Sequence, residues 1–85
     1  MASYRLQIKP SAVKDLEAIT LKDRKRLVAR IRGLAKDPRP HGCDKLSGHE
    51  KYRVRQGNYR ILYSIDDAEG KIVIVKVGHR RDVYR

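Results

Sequence analysis

The chain has 85 residues, which is enough for one domain, residues 1–85, and too few for a second. It carries 21 lysines and arginines against 10 aspartates and glutamates, a formal net charge of +11, and 40% of its residues are hydrophobic. This hydrophobic fraction excludes a purely disordered basic tail, and the absence of an apolar run of about 18 residues excludes a membrane-spanning helix.

The first predicted strand covers residues 4–9, where apolar and polar residues alternate. We expect Pro10 to stop this strand and Ser11 to cap the helix that follows. The apolar positions of that helix recur every three residues and are Val13, Leu16 and Ile19. This spacing predicts a short amphipathic helix with one face toward the core.

A second predicted helix ends at Asp37-Pro38, because a residue before proline is pushed out of helical space. Its apolar residues form a core-facing stripe, Leu27, Val28, Ile31, Leu34 and Ala35, and its other face carries Arg24, Lys25, Arg32 and Lys36. Residues 37–50 hold two prolines and two glycines and predict a loop, with a short strand near Lys45-Leu46.

The second half of the chain predicts three strands joined by turns. In residues 51–55 the apolar positions alternate with cations that share one face, namely Lys51, Arg53 and Arg55. After a hairpin turn at residues 56–58, Tyr59, Ile61, Tyr63 and Ile65 face the core and Arg60 faces the other way. A turn at residues 66–70 leads to a β-branched strand, residues 72–75, covered on both faces, and residues 78–85 are expected to leave the sheet as a polar tail.

The order of these elements predicts an α+β fold, β-α-α-β-β-β, with a helical hairpin packed on one face of a small, mostly antiparallel twisted sheet. The opposite face then carries Arg53, Arg55 and Arg60. Arginine presents a planar fork of donors that matches phosphate geometry, so this face is a candidate phosphate-binding surface.

The positive charge favours a polyanionic partner, either a nucleic acid or a strongly acidic protein. It is spread along the chain, since residues 1–50 carry 12 basic and 6 acidic side chains and residues 51–85 carry 9 and 4. The single cysteine, Cys43, cannot form an internal disulfide, which together with an N-terminus lacking an apolar signal segment predicts a cytoplasmic protein. The histidines and Cys43 do not follow zinc-ligand spacing, so no structural metal is expected.

The residues that can carry chemistry are Arg53, Arg55, Arg60, His79, Arg80 and Tyr84. Arginine suits the stabilisation of a charged phosphate transition state, histidine transfers protons near neutrality, and tyrosine stacks on bases. From composition and spacing alone, a merely solvated sheet face is the favoured alternative. Asp66 and Asp67 are expected to solvate a turn, and His41 and His49 to be ordinary surface residues.

Two segments resemble the RelE branch of the RelE/ParE toxin superfamily. They are residues 51–63, KYRVRQGNYRILY, and residues 77–85, VGHRRDVYR, preceded by Leu46-Ser47-Gly48. The resemblance covers essentially the whole chain and implies a RelE-like fold. It further implies a type II toxin that cleaves mRNA in the ribosomal A site without metal or cofactor. In such an enzyme the substrate's 2′-hydroxyl attacks the adjacent phosphate and leaves a 2′,3′-cyclic phosphate.

The same resemblance implies roles for individual residues. Arg53 and Arg55 would activate the 2′-hydroxyl or hold the phosphate, and Arg60 would stabilise the transition state. Arg80 would lie at the leaving oxygen and Tyr84 would stack on a base, with RNA also contacted by Lys51, Arg81 and Arg85. Both strand positions often occupied by lysine are arginine here, which predicts that His79 performs the acid or base work.

The implied partners are an acidic cognate antitoxin, the ribosome and mRNA, with a toxin that is monomeric alone and hetero-oligomeric with its antitoxin. Two alternatives stay open. One is a ParE-like toxin that inhibits DNA gyrase, against which the ending of residues 78–84 counts. The other is a non-catalytic basic domain that binds RNA or the ribosome.

Overall fold

A computed structural model describes residues 3–46 and 51–79. The elements are β1 (Arg5–Ile8), α1 (Pro10–Glu17), α2 (Leu21–Lys36), β2 (Asp44–Leu46), β3 (Lys51–Gln56), β4 (Tyr59–Asp66) and β5 (Lys71–His79). Within these residues the strands form one sheet in the order β1-β5-β4-β3-β2. Only the β1–β5 pair is parallel, so the predicted α+β fold with a mostly antiparallel sheet is confirmed.

Both helices belong to a hydrophobic core that covers one face of the sheet. Side chains alternate along a strand, so every second residue of β3 and β4 points into this core. In β5 a bulge at Val75 shifts the alternation by one residue, so Ile72, Ile74 and Val77 point into the core. The core residues from the strands are Tyr52, Val54, Ile61, Tyr63, Ile65, Ile72, Ile74 and Val77. From α2 they are Leu27, Ile31 and Leu34, each no more than 1% exposed, which confirms the centre of the predicted stripe.

Helix α1 begins two residues earlier than predicted, with Lys9 instead of Ser11 as its N-cap, and buries a different face. Pro10 occupies its first turn, where a missing N–H costs nothing, and Ser11 lies inside the helix instead of capping it. The buried residues are Ala12 and Leu16, whereas Val13 is 41% exposed, so its prediction as a core residue was wrong. The small side chain of Ala12 lets the helix lie close to the sheet.

The reason for this orientation lies at the edge of β5. Strand β1 pairs with β5 only as far as Ile74, and no described strand continues along that edge. There Ser11 Oγ donates to the Val75 carbonyl (3.2 Å), and the Val77 N–H donates to Asp15 Oδ2 (3.1 Å). Because Ser11 and Asp15 are four residues apart on one helix face, α1 satisfies backbone groups that a further strand would otherwise pair.

Arg24, predicted as a solvated cation, joins the two helices. Its Nε donates to the Leu16 carbonyl and its Nη2 to the Ile19 carbonyl, both at 2.9 Å. The Leu16 carbonyl is in the last turn of α1, where it also accepts from the Ile19 backbone N–H (3.1 Å), and Ile19 lies in the connection between the helices. The Arg24 guanidinium therefore closes α1 and holds the helical hairpin together.

Asp67 connects three distant parts of the chain instead of merely solvating its turn. It accepts hydrogen bonds from the Tyr4 hydroxyl at Oδ1 (2.6 Å) and from Arg39 Nη2 at Oδ2 (2.9 Å). Arg39 also donates from Nε to the Tyr52 hydroxyl (3.3 Å). The solvated-turn prediction holds only for Asp66, whose Oδ1 accepts from the backbone N–H of Glu69 (3.0 Å).

A second anchor fixes the loop that follows α2. The Tyr63 hydroxyl donates to the Pro38 carbonyl (2.7 Å) and lies 3.2 Å from Cys43 Sγ. Burial, followed by the contact with Cys43, raises the pKa of Tyr63 above its usual range. These contacts of Tyr63 hold the loop against the central strand β4, and the chain then continues into β2.

The Asp67 network predicts acid sensitivity. Hydrogen bonds from Arg39 and then Tyr4 lower the pKa of Asp67, so its contribution to stability is complete above the unfolded pKa of about 4. That contribution is lost as the pH falls through the lower folded pKa. Urea unfolding between pH 2 and 6 should show this decline in the wild type and not in Asp67→Asn. Asp66→Asn is the matched control and should keep the decline; a decline of equal size in Asp67→Asn would contradict the assignment.

Candidate functional site

The face of the sheet opposite the helices carries the predicted arginines. In the β3–β4 ladder Arg53 pairs with Leu62 and Arg55 pairs with Arg60, so all three guanidinium groups are on the same side. Gly78 of β5 pairs with Arg60 on its other side and adds no side chain there. We call Arg53, Arg55 and Arg60 the arginine face.

Arg60 is the unusual member of this set. It is only 7% exposed, and its Nε is buried without a hydrogen-bond partner. Among the described residues no carboxylate forms an ion pair with Arg60, and its direct cross-strand neighbour is the like-charged Arg55. A buried and unpaired cation is costly, so its position is typical of a site where an anion supplies the missing partner.

Arg53 does have an acidic neighbour. Its Nη2 donates to Asp44 Oδ2 at 3.0 Å, and the two residues are paired across the β2–β3 ladder. Asp44 was not predicted as a site residue because it lies in the segment interpreted mainly as a loop. The predicted short strand at Lys45-Leu46 was the available signal, since that strand brings its first residue beside β3.

His79 does not lie beside the arginines, contrary to the expectation from the sequence. Its ring makes an edge contact with the Tyr59 ring, with centroids 5.8 Å apart, and the two residues are paired in the β4–β5 ladder. Tyr59 packs against the core, so both rings lie on the helix side. The physical reason is that β5 continues through His79 and contains a β-bulge, because its pairing with β4 skips Val75. The bulge shifts the alternation by one residue, so Val77 and His79 point to the helix side and Gly78 lies on the arginine face.

Lys51 is exposed, and its pairing with Ser64 in the β3–β4 ladder places it on the arginine face. The predicted site residues Arg80, Arg81, Tyr84 and Arg85 lie outside the described residues, as do Ser47, Gly48 and His49. Their roles stay predictions. In residues 3–46 and 51–79 no three His, Cys, Asp or Glu side chains gather as metal ligands would. No helix of this part of the chain is long and apolar enough to cross a membrane.

The family model of the ParE toxin of type II toxin–antitoxin systems matches residues 6–84. The chain belongs to the RelE/ParE toxin superfamily. Toxin RelG of Mycobacterium tuberculosis is 50% identical over 34 residues, which are 40% of this chain and 39% of RelG. The sequence match therefore spans about two-fifths of that relative.

Solved structures of RelE toxins share the fold. The RelBE2 complex of Mycobacterium tuberculosis superposes with a TM-score of 0.82 at 28% identity, over 96% of this chain and 97% of the other. The RelE–RelB complex of Pyrococcus horikoshii gives 0.84 at 29% identity, over 95% and 99%. The RelBE complex of Escherichia coli gives 0.80 at 19% identity, over 91% and 96%. The predicted RelE-like fold is confirmed.

The burial of Arg60 predicts that this arginine lowers the free energy of unfolding of the protein. Replacing this buried cation, which no carboxylate in residues 3–46 and 51–79 pairs, with an apolar side chain of similar length should raise the free energy of unfolding by about 1–3 kcal/mol. We expect this gain for Arg60→Met in urea denaturation. The exposed Arg55→Met is the control, with a change within about 0.5 kcal/mol. A less stable Arg60→Met would show that the native fold already compensates the charge.

Proposed function

We propose that the protein is the toxin of a type II toxin–antitoxin system and acts in the cytoplasm as an endoribonuclease that cleaves mRNA in the ribosomal A site. The observation that carries this proposal is Arg60, a buried guanidinium on the arginine face with no anionic partner among the described residues. The RelE fold and the sequence match to toxin RelG support the same conclusion.

The arginine face suits a reaction in which the substrate supplies its own nucleophile. Attack of the 2′-hydroxyl on the neighbouring phosphate adds negative charge to the phosphate oxygens, and fixed donors stabilise that charge without reorganising. Arg60 acts from a poorly solvated position, where an electrostatic contact is stronger than in water. Arg53 and Arg55, beside it on β3, hold the phosphate. The products are a 2′,3′-cyclic phosphate and a 5′-hydroxyl, and the step as proposed needs no metal or cofactor.

The remaining assignments belong to the same proposal. Lys51 extends the RNA-binding surface along β3, on the side where the arginines lie. Arg80 is proposed at the leaving oxygen, Tyr84 as a stacking partner for a base, and Arg81 and Arg85 as further RNA contacts. His79 would have to act from the helix side of the sheet, which makes it the weakest candidate for proton transfer.

The proposal predicts codon-registered cleavage that depends on ribosomes. Primer extension on a defined mRNA in a translating extract should show new 3′ ends with the protein and none when ribosomes are omitted. Arg60→Ala should reduce cleavage by about 100- to 1000-fold, because it removes a donor to the transition state. Arg32→Ala, which removes the same charge from the exposed face of α2, should leave cleavage at the wild-type rate. Uncut mRNA with active ribosomes would contradict the proposal.

A second candidate function is inhibition of DNA gyrase, as in ParE toxins. The description of the matching family model favours it, since it names the ParE toxin. This function requires no RNA cleavage, so the protein would inhibit gyrase supercoiling while leaving mRNA intact. A non-catalytic RNA-binding domain would instead protect RNA stoichiometrically and produce no new ends.

We further propose an acidic antitoxin as the protein partner of a toxin that is monomeric when free. RelE toxins of Mycobacterium tuberculosis and Pyrococcus horikoshii were crystallised with RelB. Helix α2 offers a matching surface, a shallow groove of about 300 Å³ lined by Arg24, Lys25, Val28, Ala29 and Arg32. An apolar floor with cationic borders suits an amphipathic segment that carries carboxylates.

Binding of this antitoxin should weaken as salt rises, because exposed charge pairs are screened. Isothermal titration at increasing sodium chloride should show a decreasing affinity, with a smaller salt dependence for Lys25→Ala and Arg32→Ala. Each of these changes should weaken binding by about 1.5- to 5-fold at low salt. Lys71→Ala, on β5 away from the groove, is the control. An affinity that does not respond to salt would indicate a mainly apolar contact.

A further inference from the structure

The proposed reaction requires a group that accepts the proton of the 2′-hydroxyl. Arginine is a poor candidate because its guanidinium is a hydrogen-bond donor with no acceptor site, so Arg53, Arg55 and Arg60 do not supply the base. The imidazole of His79 lies against Tyr59 on the other side of the sheet. Lys51, a further cation on this side of the sheet, presents an ammonium group, which has three donors and no acceptor. Among the described residues, a proton acceptor for this face must therefore come from a neighbouring strand.

Asp44 is a carboxylate at that position. The β2–β3 register places it beside Arg53, and its Oδ2 lies 3.0 Å from Arg53 Nη2. The Asp44 side chain is 59% exposed, so an RNA bound on the arginine face can reach it. Its other oxygen, Oδ1, makes no hydrogen bond within the described part of the chain, and an ionised carboxylate is purely an acceptor.

Other partners hold three further charged side chains of this region, Lys76, Asp15 and Asp67. Lys76 pairs with Leu62 on the arginine side, but its Nζ points to Asp15 of α1, at 3.8 Å. Asp15 in turn accepts from the backbone of Val77 at the edge of β5. Asp67 is held by Arg39 and Tyr4, on the side of the sheet that contacts the loop after α2. Asp44 is thus the described carboxylate that the fold brings to Arg53.

We propose that Asp44 is the general base of the RNA cleavage reaction, an inference that rests on the proposed function. The O2′–H bond breaks and its proton passes to the Asp44 carboxylate, while O2′ forms a bond to phosphorus. The P–O5′ bond then breaks, O5′ takes a proton from water, and Asp44 returns its proton to the solvent. Arg53 touches the carboxylate and lies on the phosphate-binding face, so one contact aligns the base with the reacting phosphate.

The test is single-turnover cleavage of ribosome-bound mRNA by the full-length protein. Asp44→Asn should cleave about 100- to 10,000-fold more slowly and bind programmed ribosomes at least as well as the wild type, since it removes a negative charge. Glu69→Gln is the matched control, because it also neutralises an exposed carboxylate that contacts an arginine (Arg5, 3.6 Å). This control should cleave at the wild-type rate, and the thermal midpoints of all three proteins should agree.

Chemical rescue separates a base from a residue that merely holds Arg53. Cleavage by Asp44→Ala should recover with added formate and more strongly with the more basic acetate, at constant ionic strength, and not with chloride. Equal rescue by all anions, or no rescue by carboxylates, would overturn the assignment, as would wild-type cleavage by Asp44→Asn. If His79→Ala lost cleavage while Asp44→Asn remained active, the general base would be His79 and not Asp44. An inactive wild-type protein would instead refute the nuclease function itself.

Discussion

The two-residue turn between β3 and β4 fixes the register on which the arginine face depends. Gly57 has a φ of +61°, a conformation that glycine adopts without strain, and the ladder starts directly at the pair Gln56 and Tyr59. A slip of one residue would bury the arginines and expose Ile61 and Tyr63. The conformation of this one turn therefore determines both which side chains are buried in the core and which cations lie together on the opposite face.

The same register explains how the fold retains Arg60. Its strand neighbour Ile61 and its near neighbour Tyr63 are both fully buried on the helix side. Each large apolar side chain stabilises β4 by burial of about 1.5–3 kcal/mol, which offsets the cost of a buried guanidinium that no described carboxylate pairs. The position of Arg60 is rigid because β4 has a strand on either side. This rigidity is what a preorganised phosphate contact requires.

Local patterns were sufficient for the strands and for the arginine face, since alternation and the turn residues determine which side Arg53, Arg55 and Arg60 occupy. Local patterns did not predict the features that depend on contacts between residues far apart in the sequence. The orientation of α1 depends on backbone groups of β5, and the role of Asp67 depends on Tyr4 and Arg39, far away in the sequence. The side on which His79 lies depends on the bulge at Val75 in β5, which shifts the alternation by one residue and which the run of β-branched residues does not reveal. The position of Asp44 beside Arg53 depends on the pairing of β2 with β3. The three residues of β2 are too few for the sequence alone to predict that pairing.

The roles proposed for Arg53, which binds the phosphate, and for Asp44, which accepts the proton, follow from the chemistry of their side chains. A surface built from arginines offers a phosphate fixed hydrogen-bond donors and has no site that accepts a proton. The proton must then be handled by a different residue, placed close enough to share the substrate and exposed enough to exchange the proton with water. The β2–β3 pairing meets both conditions, because it joins a half-buried guanidinium to an exposed carboxylate in one ion pair. In the proposed reaction, removing the carboxylate would leave the phosphate-binding charge in place, so binding and cleavage are expected to be separable at this site.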